Sequence, residues 1–510
     1  MVFNLLGILS QLQLLSPLKL MRLASAIRLN GVNLMLLFSL AGKDEEDKVA
    51  LVDSRESFTY KELHMKCENL AFQLKEIFHL KKGQKVAFLC KNHASFVQAL
   101  FAVSRLGADS YLLNTAVSKL QMDRLITEHD FDLLVYDNEF GAMIEQSIYR
   151  NPKIQSCHRE ETSISFLSDS KQNEKVKLVP TFSSKIVLLT SGTTGKPKKV
   201  IHRPSLFNFL QPFAALLQRL HLTRHDTAYI ATPIFHGYGI AILLSFFALG
   251  KKVVIQNSFD AFKACSLIRK HHVEVITVVP LMIHKMLMAD KEALRSLACI
   301  ASGGAKLNPV LVEEVNEHLG EVLFNLYGTS EAGLNIIATP EDLKYDSNTL
   351  GKLLAGGRLK IVEDGKTVKE GTVGHFCMRN KWSMTNRKSR WIETGDLGYR
   401  DPNGYYFLSG RKDDLIISAG NNIYPLEVEG ALTCHPCVED AAVIGIKDVY
   451  CGQILQAFVQ LYPDQTVSEE ALANWLRKRV ADYQIPRKIV FVKELPYTAV
   501  GKLDRKSLEE

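Results

Sequence analysis

Between residues 85 and 302 the chain repeats one rhythm: a short apolar run, a polar or glycine-bearing stretch, then a helix-like segment. Lys85–Cys90 reads as a strand, and Phe96–Gly107 as a helix ended by glycine. The apolar runs Ile186–Thr190, Val253–Ile255, Val275–Pro280 and Ala298–Ser302 repeat the first pattern. Ala261–His271 and Met282–Ala289 repeat the second. Strand, helix, strand at this spacing predicts a parallel sheet with helices on both faces. Ligands of such sheets bind beyond the carboxyl ends of the strands. The polar segments Thr190–Lys198, Thr232–Gly239, Ser302–Leu307 and Asn325–Glu331 follow apolar strands directly, so one clustered site is expected.

After about residue 351 the texture changes. Gly365, Gly371, Gly374, Gly395, Gly398, Gly404 and Gly410 punctuate short alternating segments, which predicts a small antiparallel β subdomain. Gly410-Arg411-Lys412-Asp413-Asp414 is a charged break. Beyond it the chain reads as an α+β unit, with a helix through Leu426–Leu432, a strand at Ala441–Ile444 and a helix over Glu469–Asp482.

Composition narrows the class. A chain of 510 residues allows two to four domains, at about 150 residues each. With 46% hydrophobic and 23% charged residues it is an ordinary folded protein, which excludes disordered, collagenous and many-span membrane classes. The net charge of +7 suits a small anionic substrate. No basic stripe interleaved with aromatics is present, so no nucleic-acid partner is expected. Nine scattered cysteines fit a reducing, intracellular compartment. Cys434-His435-Pro436-Cys437 has no second pair at zinc spacing and reads as a helix end turning through Pro436.

Residues 1–42 are rich in leucine, but polar residues break them below the length of a membrane span, and no cleavage signal is visible. Leu5, Leu9 and Leu12 share a helical face ahead of Lys19, Arg22 and Arg28. Packing on the protein body is favoured over an interfacial anchor. A cytoplasmic location is expected, with peripheral contact at the inner membrane surface as the alternative. Monomer and homodimer both remain open.

The strongest chemical signal is Thr190-Ser191-Gly192-Thr193-Thr194-Gly195-Lys196-Pro197-Lys198. Hydroxyls, flexible glycines and two lysines make a loop able to wrap a polyphosphate. It is not a Walker A loop, because the glycine spacing is too short and Pro197 stands where a hydroxyl residue should follow the lysine.

This segment resembles the phosphate loop of the adenylate-forming superfamily, which joins acyl-CoA synthetases, peptide-synthetase adenylation domains and beetle luciferases. The superfamily's other blocks follow in order. Ser302-Gly303-Gly304-Ala305-Lys306-Leu307 resembles the adenine and acyl block, and Asn325-Leu326-Tyr327-Gly328-Thr329-Ser330-Glu331 the magnesium and phosphate block. Thr394-Gly395-Asp396 resembles the ribose site, Gly410–Asp414 the hinge, and Pro496–Lys502 the C-terminal lysine motif.

The resemblance covers about residues 45–510. It implies an α/β fold with a large N-terminal domain of doubly wound sheets, a small β subdomain and a mobile α+β C-terminal domain. The expected division is a leucine-rich extension over 1–42, an AMP-binding domain over 43–411 and a mobile lid over 412–510.

The implied reaction activates a carboxylate with ATP, releasing pyrophosphate, and passes the acyl group to the thiol of coenzyme A. Lys502 is the implied cation between carboxylate and α-phosphate, and Glu331 the implied Mg²⁺ ligand, a hard carboxylate oxygen for a hard cation. Thr329 and Ser330 would donate to phosphates, while Asp396 and Arg411 would take the ribose. The remaining implied nucleotide contacts are Thr190, Ser191, Gly192, Thr193, Thr194, Gly195, Lys198, Gly303, Gly304, Ala305, Asn325, Tyr327 and Gly328. His236 would gate the acyl tunnel, Asp413 would be the hinge, and Gly420 would let the pantetheine arm approach the backbone.

Two departures stand out. Lys199 replaces the family's glycine, which would cost about 1 kcal/mol if that backbone needs positive φ. The stretch Arg379–Arg390 is short and lacks the aromatic-rich segment before Trp391. The apolar block Ile234–Ile240 and the leucine-rich start point to a fatty acid. The alternatives are an aryl or other carboxylic acid, or transfer to a carrier-protein phosphopantetheine.

Overall fold

The computed structural model describes residues 17–41, 45–157, 163–170, 178–182, 184–190, 198–202, 206–384, 389–418, 421–448, 451–498 and 502–509. Ser191, Gly192, Thr193, Thr194, Gly195 and Gly420 lie outside the described residues, as does the Leu5, Leu9, Leu12 face. The chain divides into two compact units. The first comprises residues 1–278, 285–301 and 381–388, and the second 279–284, 302–380 and 389–510.

The first unit contains two sheets. One runs in the order Lys198–His202, Ile186–Thr190, Asp109–Leu112, Lys85–Leu89, Leu133–Tyr136, Lys153–Gln155, and only its first pair is antiparallel. The chain leaves Lys85–Leu89 to form a neighbour on one side, then crosses to form the next on the other, as in doubly wound folds. The connecting helix is Ala94–Arg105, which starts two residues before its apolar pattern does. His93 is the reason. Its Nδ1 accepts from the Phe96 amide at 3.1 Å while Nε2 meets Asp137 at 2.8 Å, so the histidine caps the helix. Lys199 lies in the extended strand Lys198–His202 opposite Leu189, so the condition of a positive φ, and with it the cost, does not arise.

The second sheet contributes Val275–Val278, Thr227–Ile230, Lys252–Ile255, Val49–Val52 and Ser57–Thr59 to this unit, in that order. All these pairs are parallel except the last. Over this sheet packs the helix Gly237–Ala248, whose Ile242, Leu243, Phe246 and Phe247 are fully buried. Phe247 meets Phe38 and Phe101 at 5.6 Å and Tyr60 at 6.2 Å, and Phe38 stacks on Phe101 at 4.6 Å. Phe38 belongs to the short helix Leu36–Ala41, so the segment after residue 31 is part of the core. The preceding helix Pro17–Asn30 carries exposed Met21 and Leu29. Among the described residues no helix is long and apolar enough to cross a membrane.

The second unit opens with the hairpin Leu323–Thr329 and Gly333–Ala338. The sheet continues antiparallel through Thr349–Leu353, Tyr406–Arg411, Ile392–Arg400, Gly374–Arg379, Arg358–Glu363 and Lys366–Thr367. This is the glycine-punctuated β subdomain expected from sequence. Gly398 shows why glycine recurs there: a Cβ would lie 2.1 Å from the Phe407 carbonyl oxygen.

The residues from 416 form a separate five-stranded sheet, built on the long pair Val438–Asp448 and Gly452–Leu461. Val428, Leu432, Leu455, Ala457, Leu472 and Leu476 make its core beneath the helices Pro425–Thr433 and Glu469–Arg477. The second helix stops at Arg477 rather than continuing to Asp482. Buried Gln484 donates to Glu427 at 2.5 Å, and that contact fixes a separate 3₁₀ turn at Asp482–Gln484. Cys434 is the C-cap of Pro425–Thr433, and all nine cysteines are free thiols.

Replacing Phe247 by Ala removes a ring from a fully packed aromatic cluster. Thermal or denaturant unfolding should show a loss of about 3–5 kcal/mol.

Candidate active site

The second unit collects a group of opposed charges. Asp396 sits in the strand Ile392–Arg400, where the bend at Gly395 (φ 79°) turns its side chain inward. The Tyr327 hydroxyl donates to Asp396 Oδ2 at 2.6 Å, and Arg411 Nη1 lies 3.2 Å from Oδ1. Arg411 is the register partner of Asp396 in the neighbouring strand, so sheet pairing itself brings the two together. The Asp396 amide donates to Thr394 Oγ1 at 3.1 Å. Burial raises the carboxyl's pKa, with Glu331 adding to the rise, against the pull of Tyr327, Arg411 and Lys502. Arg411 Nε is itself buried and finds no partner among the described residues.

Glu331 and Ser330 stand at the tip of the hairpin whose register pairs Thr329 with Gly333. The tip is tight because a Cβ on Gly328 would lie 2.5 Å from the Gly333 carbonyl oxygen. Thr329 Oγ1 accepts from the Ala332 amide at 3.1 Å and braces the turn. Asn325 is buried and donates to the Thr349 carbonyl at 3.1 Å, so its amide ties the hairpin to the strand Thr349–Leu353. The glycine-rich block keeps Gly303 in the strand Cys299–Gly303, then Gly304 at φ 83° and Ala305. Ser302 is fully buried, and its hydroxyl has no hydrogen-bond partner among the described residues.

Lys502 closes a small loop in which the Thr498 amide donates to the Lys502 carbonyl at 2.8 Å and Tyr497 bridges to Leu503. Lys502 is exposed, yet its ammonium stands among enough protein that desolvation lowers its pKa. Arg411 lowers it further, while Asp396 and Glu331 raise it. A cation, two carboxylates and a guanidinium therefore share one electrostatic neighbourhood, although they lie far apart in sequence. The loop is anchored by Arg505, which pairs with Glu429 at 2.6 Å. Sequence reasoning missed both residues. Their one signal was the arginine three positions after the lysine. Asp413 lies exposed in the turn between Tyr406–Arg411 and Ile416–Ser418.

In the first unit, His236 is the N-cap of Gly237–Ala248, with its ring 4.6 Å from that of Phe235. Gly239 is obligatory there, because a Cβ would lie 2.5 Å from the Pro233 carbonyl oxygen. The next residue outward, Tyr238, donates its hydroxyl to the Ala301 carbonyl at 2.5 Å, a contact that its lone place in the motif did not reveal. Thr190 and Lys198 end and begin the paired strands on either side of the phosphate loop.

The chain belongs to the AMP-binding enzyme family, whose pattern matches residues 38–386, with the family's C-terminal domain at 427–502. It is an ATP-dependent acid–thiol ligase of the AMP-forming kind. Over 476 residues it is 31% identical to the 2-succinylbenzoate–CoA ligase of Bacillus velezensis, covering 91% of this chain and 95% of that one. Among solved structures it resembles the o-succinylbenzoate CoA synthetase of Bacillus subtilis with its acyl-adenylate, at 29% identity and TM-score 0.80, covering 94% of this chain and 98% of that one. The same synthetase with ATP and magnesium gives TM-score 0.81, at 29% identity over 94% of this chain and 99% of that one.

The raised pKa of Asp396 has a consequence for stability. The native state holds that proton more tightly than the unfolded chain, so the contribution is complete below the usual carboxylate range. It is lost as pH rises through the raised native value. Asp396→Asn cannot ionise. Melting curves should therefore show it gaining on the parent protein as pH rises above the usual carboxylate range. A gap that moved the other way would contradict the burial argument.

Proposed function

We propose that this chain makes the CoA thioester of an aromatic carboxylic acid through an acyl-adenylate. The observation that carries the ligase reading is the convergence of Lys502, Asp396, Arg411 and Glu331 in one neighbourhood. The aromatic reading draws on relatives named for 2-succinylbenzoate along 91% of the chain. Packing supports it as well. The aliphatic residues of the block that suggested a fatty acid, Ile234 and Ile240, are buried in the core. The Tyr238 ring beside them is fixed by its hydroxyl to the Ala301 carbonyl.

In the first half-reaction a carboxylate oxygen attacks the α-phosphorus of ATP. The new oxygen–phosphorus bond replaces the bond to pyrophosphate, which leaves. Two anions must meet, and Lys502 supplies a desolvated cation where charge grows, the setting in which an oriented charge is worth most. Asp396 accepts from the ribose hydroxyls, with Tyr327 and Arg411 fixing its carboxylate, and the unpartnered Arg411 Nε offers a further donor. Glu331 and the hydroxyls beside it suit a hard cation. Magnesium bound there neutralises phosphate charge. His236 stands at the acyl side as a gate. Thr190, Lys198 and residues 191–195 between them wrap the polyphosphate, and Gly303, Gly304 and Ala305 face the base.

In the second half-reaction the CoA thiol loses its proton and attacks the acyl carbon. The carbon–sulfur bond forms as AMP departs. Lys502 would obstruct that approach, so residues 412–510 turn about Asp413 and bring Gly420 to the pantetheine arm.

Pyrophosphate release with 2-succinylbenzoate, benzoate and octanoate, each with and without CoA, tests the acid class. The aromatic acids should turn over fastest, and preference for octanoate would restore the aliphatic reading. Lys502→Ala should lower adenylation by about 10²–10³-fold, the scale of losing one transition-state donor. Thioester formation from preformed acyl-adenylate should remain. Equal loss of both steps would overturn the assignment.

A further inference from the structure

The loop carrying Lys502 is held by a half-buried clamp that adenylate chemistry does not itself require. Arg505 begins the 3₁₀ turn Arg505–Leu508 and forks onto Glu429, with Nη1 at 2.6 Å from Oε1 and Nη2 at 3.0 Å from Oε2. Nη1 also donates to the Val443 carbonyl at 2.7 Å. Glu429, in the helix Pro425–Thr433, is only 7% exposed, and its Oε1 accepts from the Val443 amide at 2.7 Å as well. On its remaining side Arg505 Nε faces Asp414 Oδ2 at 3.6 Å. One guanidinium thus joins four pieces of chain: the lysine loop, a helix, the strand Val438–Asp448 and Asp414 in the turn beside Asp413.

A buried ion pair is poor value as glue, because desolvating both ions offsets much of their attraction, and apolar residues of similar volume often serve as well or better. What the pair does provide is direction. A planar fork fixes orientation as well as distance, and lysine cannot reproduce it. The other end of the loop is fixed through Tyr497, whose hydroxyl bonds to Asp440. Between these two anchors the backbone is closed by the Thr498–Lys502 and Asp504–Pro496 hydrogen bonds, at 2.8 and 2.9 Å. The reach of the lysine is therefore set by where Arg505 is held.

We infer that Arg505 is a positioning residue for the adenylate-forming step, holding Lys502 at its working place through Glu429 and linking that placement to the Asp413 turn through Asp414. The inference rests on the reading of Lys502 given above. The guanidinium is engaged by Glu429, Val443 and Asp414, so its loss would act through geometry. A displacement of about 1 Å at a reacting group can cost about 10²-fold in rate.

The test compares Arg505→Lys, Asp414→Asn and Lys502→Ala in the full chain. The acid used is whichever of 2-succinylbenzoate, benzoate and octanoate turns over fastest. Pyrophosphate exchange reads adenylation, and CoA consumption with the synthetic acyl-adenylate reads thioester formation. R505K should lower the adenylation kcat by about 10- to 100-fold with little change in KM for ATP. Thioester formation and the melting temperature should stay close to those of the parent. Equal loss in both half-reactions would mean a merely structural clamp and would overturn the inference. Should R505K fail to fold, D414N at the partly open edge of the clamp decides: a selective drop in adenylation supports the inference, and no change overturns it. If K502A loses adenylation while both clamp variants keep it, only this inference fails. If K502A keeps adenylation, the reading beneath it fails.

Discussion

A carboxylate that cannot easily be charged is the constraint around which the second unit is arranged. Asp396 is buried, and burial alone would favour its neutral form. Tyr327 and Arg411 answer that penalty from two directions, one by a short hydrogen bond and one by charge. Each partner arrives on a different strand, and each strand is in place because its neighbours pair with it. The sheet is thus the device that makes a desolvated anion tolerable. A site built this way is rigid, since movement of any one strand would leave a buried charge without its partner.

The same logic extends to the lysine. An ammonium drawn out of water becomes easier to deprotonate, and Asp396 and Glu331 oppose that tendency. Cation and anions are mutually supporting: Lys502 opposes the rise that burial imposes on Asp396, and Asp396 and Glu331 oppose the fall that burial imposes on Lys502. A substrate that brings its own negative charges enters a field already prepared for it. Little reorganisation is then required as charge moves in the reaction, which is where enzymes of this kind obtain most of their advantage.

Much of the fold was legible beforehand. The apolar runs were long enough and regular enough to reveal a parallel sheet, and the glycines after residue 351 announced tight antiparallel turns. The boundaries were less legible. Ala94–Arg105 begins earlier than its apolar pattern because a histidine from the preceding turn caps it, using a partner 44 positions away. Glu469–Arg477 ends earlier than its pattern because Gln484 is captured by Glu427, 57 positions away. Both errors have one origin: a local periodicity cannot report a hydrogen bond made by a distant residue. The apolar block at Ile234–Ile240 is ambiguous for a related reason, since hydrophobicity is the same signal whether a side chain lines a channel or fills a core.

By itself the sequence determined the chemistry. Motifs with hydroxyls, glycines, carboxylates and a terminal lysine follow one another in the order of a family that activates carboxylates with a nucleotide, and those residue types supply the donors and charges that such a reaction needs. Tertiary structure decided which of those groups act on one another and what keeps them there. Glu429 and Arg505 are 76 positions apart, and Tyr327 and Asp396 are 69 apart. No spacing rule connects either pair. Their meeting depends on strand register and helix packing, which are set by the summed burial of the whole unit rather than by any segment that could be read alone.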